Sequence, residues 1–268
     1  MMMFDTNKNK EFDDVLLDED SLFHYSSRCS GVQILSSNKI RLSNRKKSND
    51  PIENINLSDS YLWFSQNDID GNQIYDDSEE LRSLIKKIKV QFSNCKQLCF
   101  CKNFINQDKS KIELGFLKPR MWDNYGDKYN GVCLVFSKRK LIDDLEEKIN
   151  GDVNYIDYSE FSEFKFEENL NKYLENPKKN IDDIKEKFKK RLFSKHIDYN
   201  GENEFRIISF SDREYDYIPI KNSLIGVIVS TVNNSDLNLD FYKQYQKSEN
   251  VPLYLLNWKE LDFTFNPI

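Results

Sequence analysis

The chain has few of the residues on which many common catalytic sites depend. Its 268 residues include only two histidines, His24 and His196, and only 8 glycines and 6 prolines. A Ser-His-Asp or Cys-His site would have to use one of these histidines, and no nucleophile elbow accompanies either. A Walker loop, a GxGxxG motif and an HExxH motif are also absent from the sequence. The low glycine and proline content argues against a chain made mostly of loops.

The five cysteines form no pattern typical of a metal site. An odd number of cysteines without a secretory signal predicts a reducing compartment, which we take to be the cytoplasm. There is no CxxC pair, and Cys99 and Cys101 lie in the apolar run LCFC. We therefore expect buried free thiols and no metal. No apolar run approaches the length that spans a bilayer, so no membrane contact is expected.

Charged and aromatic residues are plentiful. Charged residues make up 31% of the chain, and the net charge of −6 argues against bulk electrostatic capture of nucleic acid. A local basic patch could still contact RNA or DNA. The 19 Phe, 14 Tyr and 3 Trp supply enough apolar area for one large core.

The hydrophobic pattern predicts an α+β protein. Residues 1–20 are expected to form a polar, loosely held tail, and residues 21–268 a single domain, since no linker rich in Pro, Gly or Ser divides them. Sparse apolar spacing predicts a helical insert at about 161–193. Strand-rich segments before and after the helical middle favour a mixed or mostly antiparallel curved sheet around a central cleft, with helices grouped outside it.

Individual elements follow from short apolar runs and from helical periodicity. The predicted strands are SLFHYSS, NKIRLS, YLWFS, QLCFC, GVCLVF, VNYID, EFRIIS, LIGVIVS and LYLL. The predicted helices are a brief one over 31–35, one that begins with an Asp77/Glu80 capping box, and one over 141–149.

Five segments in a fixed order resemble a known family. They are LFHYSS followed by KIRLS, SNDPIE at 48–53, LCFC at 98–101, PRMWDNYGDKYNGVCLVF at 119–136 and SKHIDYNGENEFRII at 194–208. Together they resemble the bacterial domain of unknown function numbered two-nine-seven-one, over roughly residues 22–230. Ser48 stands where that family usually has Phe, and Tyr199 where it usually has Trp. The resemblance implies no particular chemistry.

A second resemblance concerns Glu202 and Glu204. The run Glu202-Asn203-Glu204 looks like the E-x-E motif of NAD-dependent ADP-ribosyltransferases. This resemblance implies that Glu204 holds the nicotinamide ribose and stabilises an oxocarbenium-like transition state, with Glu202 assisting. On a strand, residues two apart point to one face. The alternative is a surface strand with exposed carboxylates, because E-x-E arises by chance in a chain with 45 acidic residues.

The first predicted strand resembles the start of the same enzymes. There, a first-strand His or Arg binds the cofactor, which implies that His24 contacts an NAD ribose hydroxyl or the backbone and that Tyr25 shapes the NAD pocket. An imidazole suits this role because it can both donate and accept a hydrogen bond. The alternative is that His24 is a partly buried strand histidine with no ligand.

Four further residues are candidates for cofactor binding. Trp122 and Tyr125, three apart, can stack on a nicotinamide or adenine ring or pack in the core. Asn49, beside Pro51, can face a ligand or form a structural Asx turn. Arg206 can bind a phosphate bidentately, or pair with one of the two glutamates.

These residues favour an enzyme that consumes NAD as its substrate, either an ADP-ribosyltransferase or an NAD glycohydrolase. The expected partners are NAD, a macromolecular acceptor (protein or nucleic acid), and an antitoxin or defence-system partner if the protein is a toxin in anti-phage defence. One alternative is a non-catalytic module that binds a nucleotide or a partner. A metal-dependent nuclease is disfavoured by the acidic pI near 5.2 and by the lack of a D/E-x-K pattern on a predicted strand.

Overall fold

A computed structural model describes most of the elements around the predicted site. The described residues are 13–45, 62–67, 73–75, 83, 90, 94–105, 112–157, 159–160, 166–169, 186, 188–211, 213–232, 239–259 and 262–268. The helices are α1 (Asp14–Leu17), α2 (Arg28–Ser37), α3 (Pro119–Asn124), α4 (Lys138–Asp143) and α5 (Asp240–Glu249), with a 3-10 helix over Ile197–Glu202. The strands are β1 (Ser21–Ser26), β2 (Lys39–Asn44), β3 (Leu62–Asn67), β4 (Gln73–Tyr75), β5 (Lys96–Lys102), β6 (Phe104–Ile105), β7 (Ile112–Glu113), β8 (Val132–Ser137), β9 (Ile149–Asp152), β10 (Asn154–Ile156), β11 (Phe166–Asn169), β12 (Ser194–His196), β13 (Glu204–Ser209), β14 (Asp216–Pro219), β15 (Leu224–Val232), β16 (Leu253–Lys259) and β17 (Asp262–Pro267).

One large sheet organises the described part of the chain. Its strand order is β14-β2-β5-β1-β8-β15-β16-β17, and β13 joins the other edge of β5 and carries β9. Within this sheet β15 and β16 are parallel, whereas the other described pairs are antiparallel. The predicted α+β class, with a mixed and mostly antiparallel curved sheet, is confirmed. β13 lies between β5 and β9, so the run EFRIIS is an interior strand, as expected.

The sheet has a hydrophobic core on each face. β8 shows why, because all six of its residues are buried and alternate residues point to opposite faces. Leu134 and Phe136 pack in one core with α2 and α5, while Cys133 and Val135 pack in the other with Trp122. An uninterrupted apolar run such as GVCLVF is what a strand covered on both faces requires.

α2 connects β1 to β2 and lies close to β8. Ser27 caps its first turn by accepting a hydrogen bond from the Ser30 backbone N–H at 3.2 Å, and Asn38 ends it in the left-handed conformation. A Cβ added at Gly31 would lie 2.3 Å from the Val132 side chain, so glycine permits this close approach. The predicted short helix is therefore confirmed, and it is longer than expected.

Residues 13–20, the last part of the segment expected to be a loosely held tail, contact the core. Leu16 is fully buried, and the Asp20 carboxylate accepts a hydrogen bond from the Ser137 hydroxyl at 2.8 Å. Burial of Leu16 thus holds this polar segment on the core, together with hydrogen bonds from Ser137 and from Asn103, whose side-chain amide donates to the Leu16 carbonyl at 2.9 Å.

The segment 161–193 also departs from an entirely helical insert. β11 lies within it and pairs in parallel with β3, while residues 188–192 are helical with Phe188 and Leu192 buried. The helix expected over 141–149 ends at Asp143, since Glu146 has a positive φ of 53° and Ile149 already belongs to β9. The helix predicted from Asp77 lies outside the described residues.

Among the described residues, none of the helices has both the length and the apolar character needed to cross a membrane.

Candidate functional site

The sheet splits between β1 and β2. Both strands pair with the same edge of β5, but β1 does so around Phe23 and Cys101, and β2 around Ser43 and Gln97. α2 connects the C-terminal end of β1 to the N-terminal end of β2, and neither of these two ends pairs with β5. The middle of β5, residues 98–100, is therefore flanked on this edge by two diverging strands.

A cavity of about 810 Å³ lies at this split. Its volume is within the usual range for a small-molecule site. Five of the predicted site residues are among the described residues that line it, namely His24, Tyr25, Tyr125, Glu202 and Glu204. Segments separated by as many as 180 positions thus meet at one cavity, although the roles of these residues remain predictions.

His24 lies on β1 at the split of the sheet, one residue beyond the pairing of Phe23 with Cys101 of β5. Its Nδ1 is 3.0 Å from the Cys99 carbonyl oxygen, and its ring meets Phe100 edge-on at 5.7 Å. Burial lowers the pKa of His24 below the ordinary value of 6.5, and the hydrogen bond to Cys99 opposes that shift. Since a carbonyl only accepts hydrogen bonds, Nδ1 carries the proton and Nε2 of the neutral ring is an acceptor. A ligand hydroxyl could donate to it.

Tyr25 forms part of the cavity wall and is held by three contacts. Its hydroxyl donates to the Gly115 carbonyl at 2.6 Å and accepts from the Lys118 backbone N–H at 3.3 Å. Its ring meets Trp122 edge-on at 4.9 Å. Burial raises the pKa of Tyr25 well above its ordinary value, so this hydroxyl stays protonated. Its described contacts position the wall of the cavity.

The two glutamates of the E-x-E motif line a part of the cavity that we call its base, but they do not share a strand. Glu202 ends the 3-10 helix, Asn203 has left-handed dihedral angles of 45° and 61°, and Glu204 begins β13. The turn at Asn203 brings both carboxylates to Lys195, whose Nζ is 2.7 Å from Glu202 Oε2 and 3.3 Å from Glu204 Oε2. The sequence predicted that the two carboxylates share a face because they lie two apart on one strand, and that reason is wrong. The turn at Asn203 brings them together instead.

Both carboxylates are buried, with only 5% of Glu202 and 3% of Glu204 exposed. The alternative of a surface strand with exposed carboxylates is thus wrong. Burial raises the pKa of Glu202 above its ordinary value, and the ammonium group of Lys195 acts against that shift. Tyr155 adds a contact, since the Glu204 backbone N–H donates to its hydroxyl at 2.8 Å.

Arg206 is a partner of Glu204 and is inaccessible to a ligand phosphate. Its side chain is fully buried, its Nε is 2.7 Å from Glu204 Oε1, and an NH group donates to the Leu192 carbonyl at 2.6 Å. This corrects the prediction that Arg206 binds the cofactor. A strand residue two positions from Glu204 points to the same face, which favours the pairing over a phosphate contact.

Lys195 is the residue of this group that sequence reasoning missed. Its side chain is 6% exposed, and its Nζ also lies 4.6 Å from the centre of the Tyr199 ring. Arg120 lies over the same ring at 4.7 Å. A lone lysine in a lysine-rich chain carries no signal in the sequence, because its burial depends on the fold around it.

The two predicted stacking residues have different environments. Trp122 is fully buried, and its indole N–H donates to the Phe116 carbonyl at 2.7 Å, so it belongs to the core and cannot stack on a ligand ring. Tyr125 is 38% exposed and lines the cavity. Asn49 lies outside the described residues.

The cysteines are free thiols in the described residues. Cys95, Cys101 and Cys133 are buried, while Cys99 is half-buried and Cys29 is exposed. Burial raises the pKa of Cys101 and of Cys133, which makes both thiols poor nucleophiles. Over the same described ranges, no three His, Cys, Asp or Glu side chains gather in a way that could hold a metal ion.

Comparison with known proteins gives one match. The profile of a family described as protein of unknown function (DUF2971) matches residues 121–207. No curated protein and no solved structure matches the chain. The matched segment runs from the Met121-Trp122 pair, through Gly131-Val132-Cys133, to the E-x-E-F-R run, and it supports the resemblance to that family over these residues. Residues 121–207 are therefore similar to the DUF2971 family of proteins of unknown function.

Proposed function

We propose that this protein binds NAD in the cavity at the split of the sheet and breaks the bond between nicotinamide and ribose. ADP-ribose would then pass to a protein, a nucleic acid or water. One observation carries the proposal: a first-strand histidine and the two carboxylates of an E-x-E motif line the same cavity. The resemblance to ADP-ribosyltransferases rests on these same residues.

The reaction needs a negative charge beside the ribose. The C1′–N bond breaks, its electron pair goes to the pyridinium nitrogen, and neutral nicotinamide leaves. The ribose passes through an oxocarbenium-like state before an acceptor oxygen or nitrogen bonds to C1′ and loses its proton. A fixed carboxylate at Glu204 stabilises that positive charge, and in a buried site such stabilisation is a large catalytic term.

The other cavity residues have distinct parts in this proposal. His24 Nε2 accepts a hydrogen bond from a ribose hydroxyl, and the exposed ring of Tyr125 packs against nicotinamide. Lys195 is a positioning residue, since its Nζ lies between the carboxylates of Glu202 and Glu204. Uncontrolled consumption of NAD depletes a cofactor that the cell needs. The proposal therefore includes a role as a toxin controlled by an antitoxin or a defence-system partner.

The test is an assay with NAD labelled in its adenylate part. We expect the wild type to release nicotinamide, with label transferred to a component of a cell extract or freed as ADP-ribose. Glu204→Gln should lower turnover by roughly a hundredfold or more, the scale seen when one preorganised electrostatic partner is lost. The exposed Glu147→Gln is the matched control and should behave as wild type.

The removal of a charge from a buried cluster can also weaken folding, so the melting temperature is measured for each variant. Glu204→Asp keeps the charge and shortens the side chain by one methylene, and it separates loss of catalysis from loss of fold. We expect it to stay folded and to turn over more slowly than wild type. Wild-type turnover in a folded Glu204→Gln protein would contradict the proposed role.

A non-catalytic nucleotide-binding module is a second candidate, favoured by the compensation of charge in the cluster. Lys195 and Arg206 already neutralise the two carboxylates, as they would in a structural ion network. In that case NAD would raise the melting temperature of the wild type without any release of nicotinamide. A metal-dependent nuclease has no set of metal ligands within the part of the chain that the structure describes.

A further inference from the structure

A second wall of the cavity is formed by β2 and β14. β2 alternates, so that Lys39 and Arg41 point outward while Ile40 packs in the core. β14 pairs with β2 in antiparallel register, with Tyr217 opposite Arg41. Directly opposed residues share a face of the sheet, which places Tyr217 beside the two cations. Lys39, Arg41 and Tyr217 all line the cavity.

The positive charge on this wall has no ion-pair partner among the residues that the structure describes. The described residues place no carboxylate within ion-pair distance of Lys39 or Arg41. Lys195, the other lysine among the described lining residues, contrasts with them because it lies between Glu202 and Glu204. The cavity thus has carboxylates at its base and two unopposed cations on the wall formed by β2. Such an arrangement attracts an anion to that wall.

Arg41 contacts an aromatic ring, and its side-chain donors have no hydrogen-bond partner among the described residues. Its guanidinium lies over the Tyr215 ring, 5.4 Å from the ring centre. A guanidinium held over an aromatic face by its carbon can still donate its N–H groups to phosphate oxygens as a fork. Tyr217, the neighbouring aromatic residue, is 45% exposed. A half-exposed ring beside a phosphate-binding cation is suited to stack on a base.

We infer that the wall formed by β2 and β14 binds the diphosphate of a purine nucleotide, with Arg41 and Lys39 as the phosphate contacts and Tyr217 as the platform for the base. This deepens the proposed function and rests on it, since it assigns the ADP part of NAD to that wall. It also sets the orientation of the ligand. The cations of the wall attract the phosphates, whereas the cations at the base are already paired with Glu202 and Glu204, so the nicotinamide ribose is the part that lies over the carboxylates.

The test measures binding of ADP, AMP and adenosine to the full chain by calorimetry. We expect the affinity to fall from ADP to AMP to adenosine. Arg41→Ala should weaken ADP by roughly tenfold to a hundredfold, the scale of a charge-assisted hydrogen bond, and leave adenosine unchanged. Tyr217→Leu should weaken ADP and adenosine by the same factor. Arg139→Ala, an exposed arginine outside the cavity lining, is the matched control and should bind ADP as wild type does.

The inference is overturned if adenosine binds as tightly as ADP, if none of the three binds, or if Arg41→Ala leaves the ratio of ADP to adenosine affinity unchanged. Its failure is distinguishable from that of the proposed function. ADP binding that depends on Arg41, in a protein that releases no nicotinamide from NAD, supports the phosphate wall and contradicts the catalysis. Release of nicotinamide with wild-type affinity for NAD in Arg41→Ala supports the catalysis and contradicts the phosphate wall.

Discussion

The base of the cavity and the wall formed by β2 and β14 use the same kinds of charged residue in opposite ways. At the base, Arg206 is fully buried, and its Nε bonds Glu204. On the wall, Arg41 is exposed and stacks on an aromatic ring. The charge of the first is used by the fold, because a buried carboxylate needs a partner. The charge of the second remains available to a ligand. Burial and partners thus decide what an arginine does here.

Removal of each arginine should give the largest contrast between the two regions. Arg206→Met keeps most of the side-chain volume but removes the guanidinium that pairs with the buried Glu204 carboxylate. We expect a loss of about 3–5 kcal/mol in the free energy of unfolding, the cost of breaking a buried ion pair from one side. Arg41→Met should change the same quantity by no more than about 0.5 kcal/mol. Urea unfolding followed by circular dichroism measures both.

The double variant Arg206→Met/Glu204→Gln is the control for this interpretation. Without the charge on residue 204, most of the loss caused by Arg206→Met should be recovered, because no isolated buried carboxylate remains. Equal losses in the single and the double variant would show that Arg206 stabilises the protein by packing and by its bond to Leu192, rather than by pairing with Glu204.

A smaller effect is expected from the turn that brings the two carboxylates together. Residue 203 has a φ of 45°, a left-handed conformation that alanine adopts less readily than asparagine. Asn203→Ala also removes the side-chain amide that donates to the Asn103 carbonyl at 2.8 Å. We expect a loss of about 2 kcal/mol, the sum of a left-handed penalty and the hydrogen bonds that the amide donates to the Asn103 and Lys102 carbonyls. Asn203→Gly should lose about half as much, because glycine accepts this conformation. If Gly and Ala cost the same, the conformation of residue 203 is not what holds the turn.

The smallest effect concerns the pH dependence of the unfolding free energy, to which His24 contributes. The pKa of His24 is lowered by burial, so its unfolded form binds protons more readily than its folded form. The corresponding stability is present above pH 6.5 and is lost as the pH falls through the lowered pKa of the folded state. His24→Gln should therefore flatten the decline in unfolding free energy below pH 6.5, as measured in urea at a series of pH values.

Arg41→Met is a suitable control for that pH series. Arginine does not titrate in this range, so the variant should show the same decline below pH 6.5 as the wild type. Glu202 acts in the opposite sense: its pKa is raised by burial, so its contribution falls as the pH rises above its ordinary value of 4.5. The comparison of His24→Gln with wild type removes this common background.

Elements with strong local patterns could be predicted from the sequence, and those without could not. The apolar runs of β1, β5 and β8 predict strands because both faces of each are covered by protein. β14 and β17 escaped prediction: DYIP is short, and DFTFNP is mostly exposed or half-buried at the sheet edge. Their pairing is decided by neighbours distant in the chain rather than by their own composition.

The candidate site shows the same division. The E-x-E motif and the first-strand histidine pointed to Glu202, Glu204 and His24, and these residues do line one cavity. Trp122 and Arg206 were assigned to cofactor binding and are core residues, because spacing along a chain says nothing about which side chains the tertiary packing covers. Lys195 was missed for the same reason.

By itself, the sequence determined the α+β class, the strands with continuous apolar runs, the family resemblance, and a short set of residues that includes both glutamates. Only the tertiary structure decided that β1 and β2 diverge along one edge of β5 to leave a cavity. It alone decided that Lys195 and Arg206 neutralise the carboxylates while Arg41 and Lys39 face the cavity without an ion-pair partner among the described residues. The physical reason is that propensity and periodicity are local, whereas desolvation and charge compensation depend on which distant segments meet.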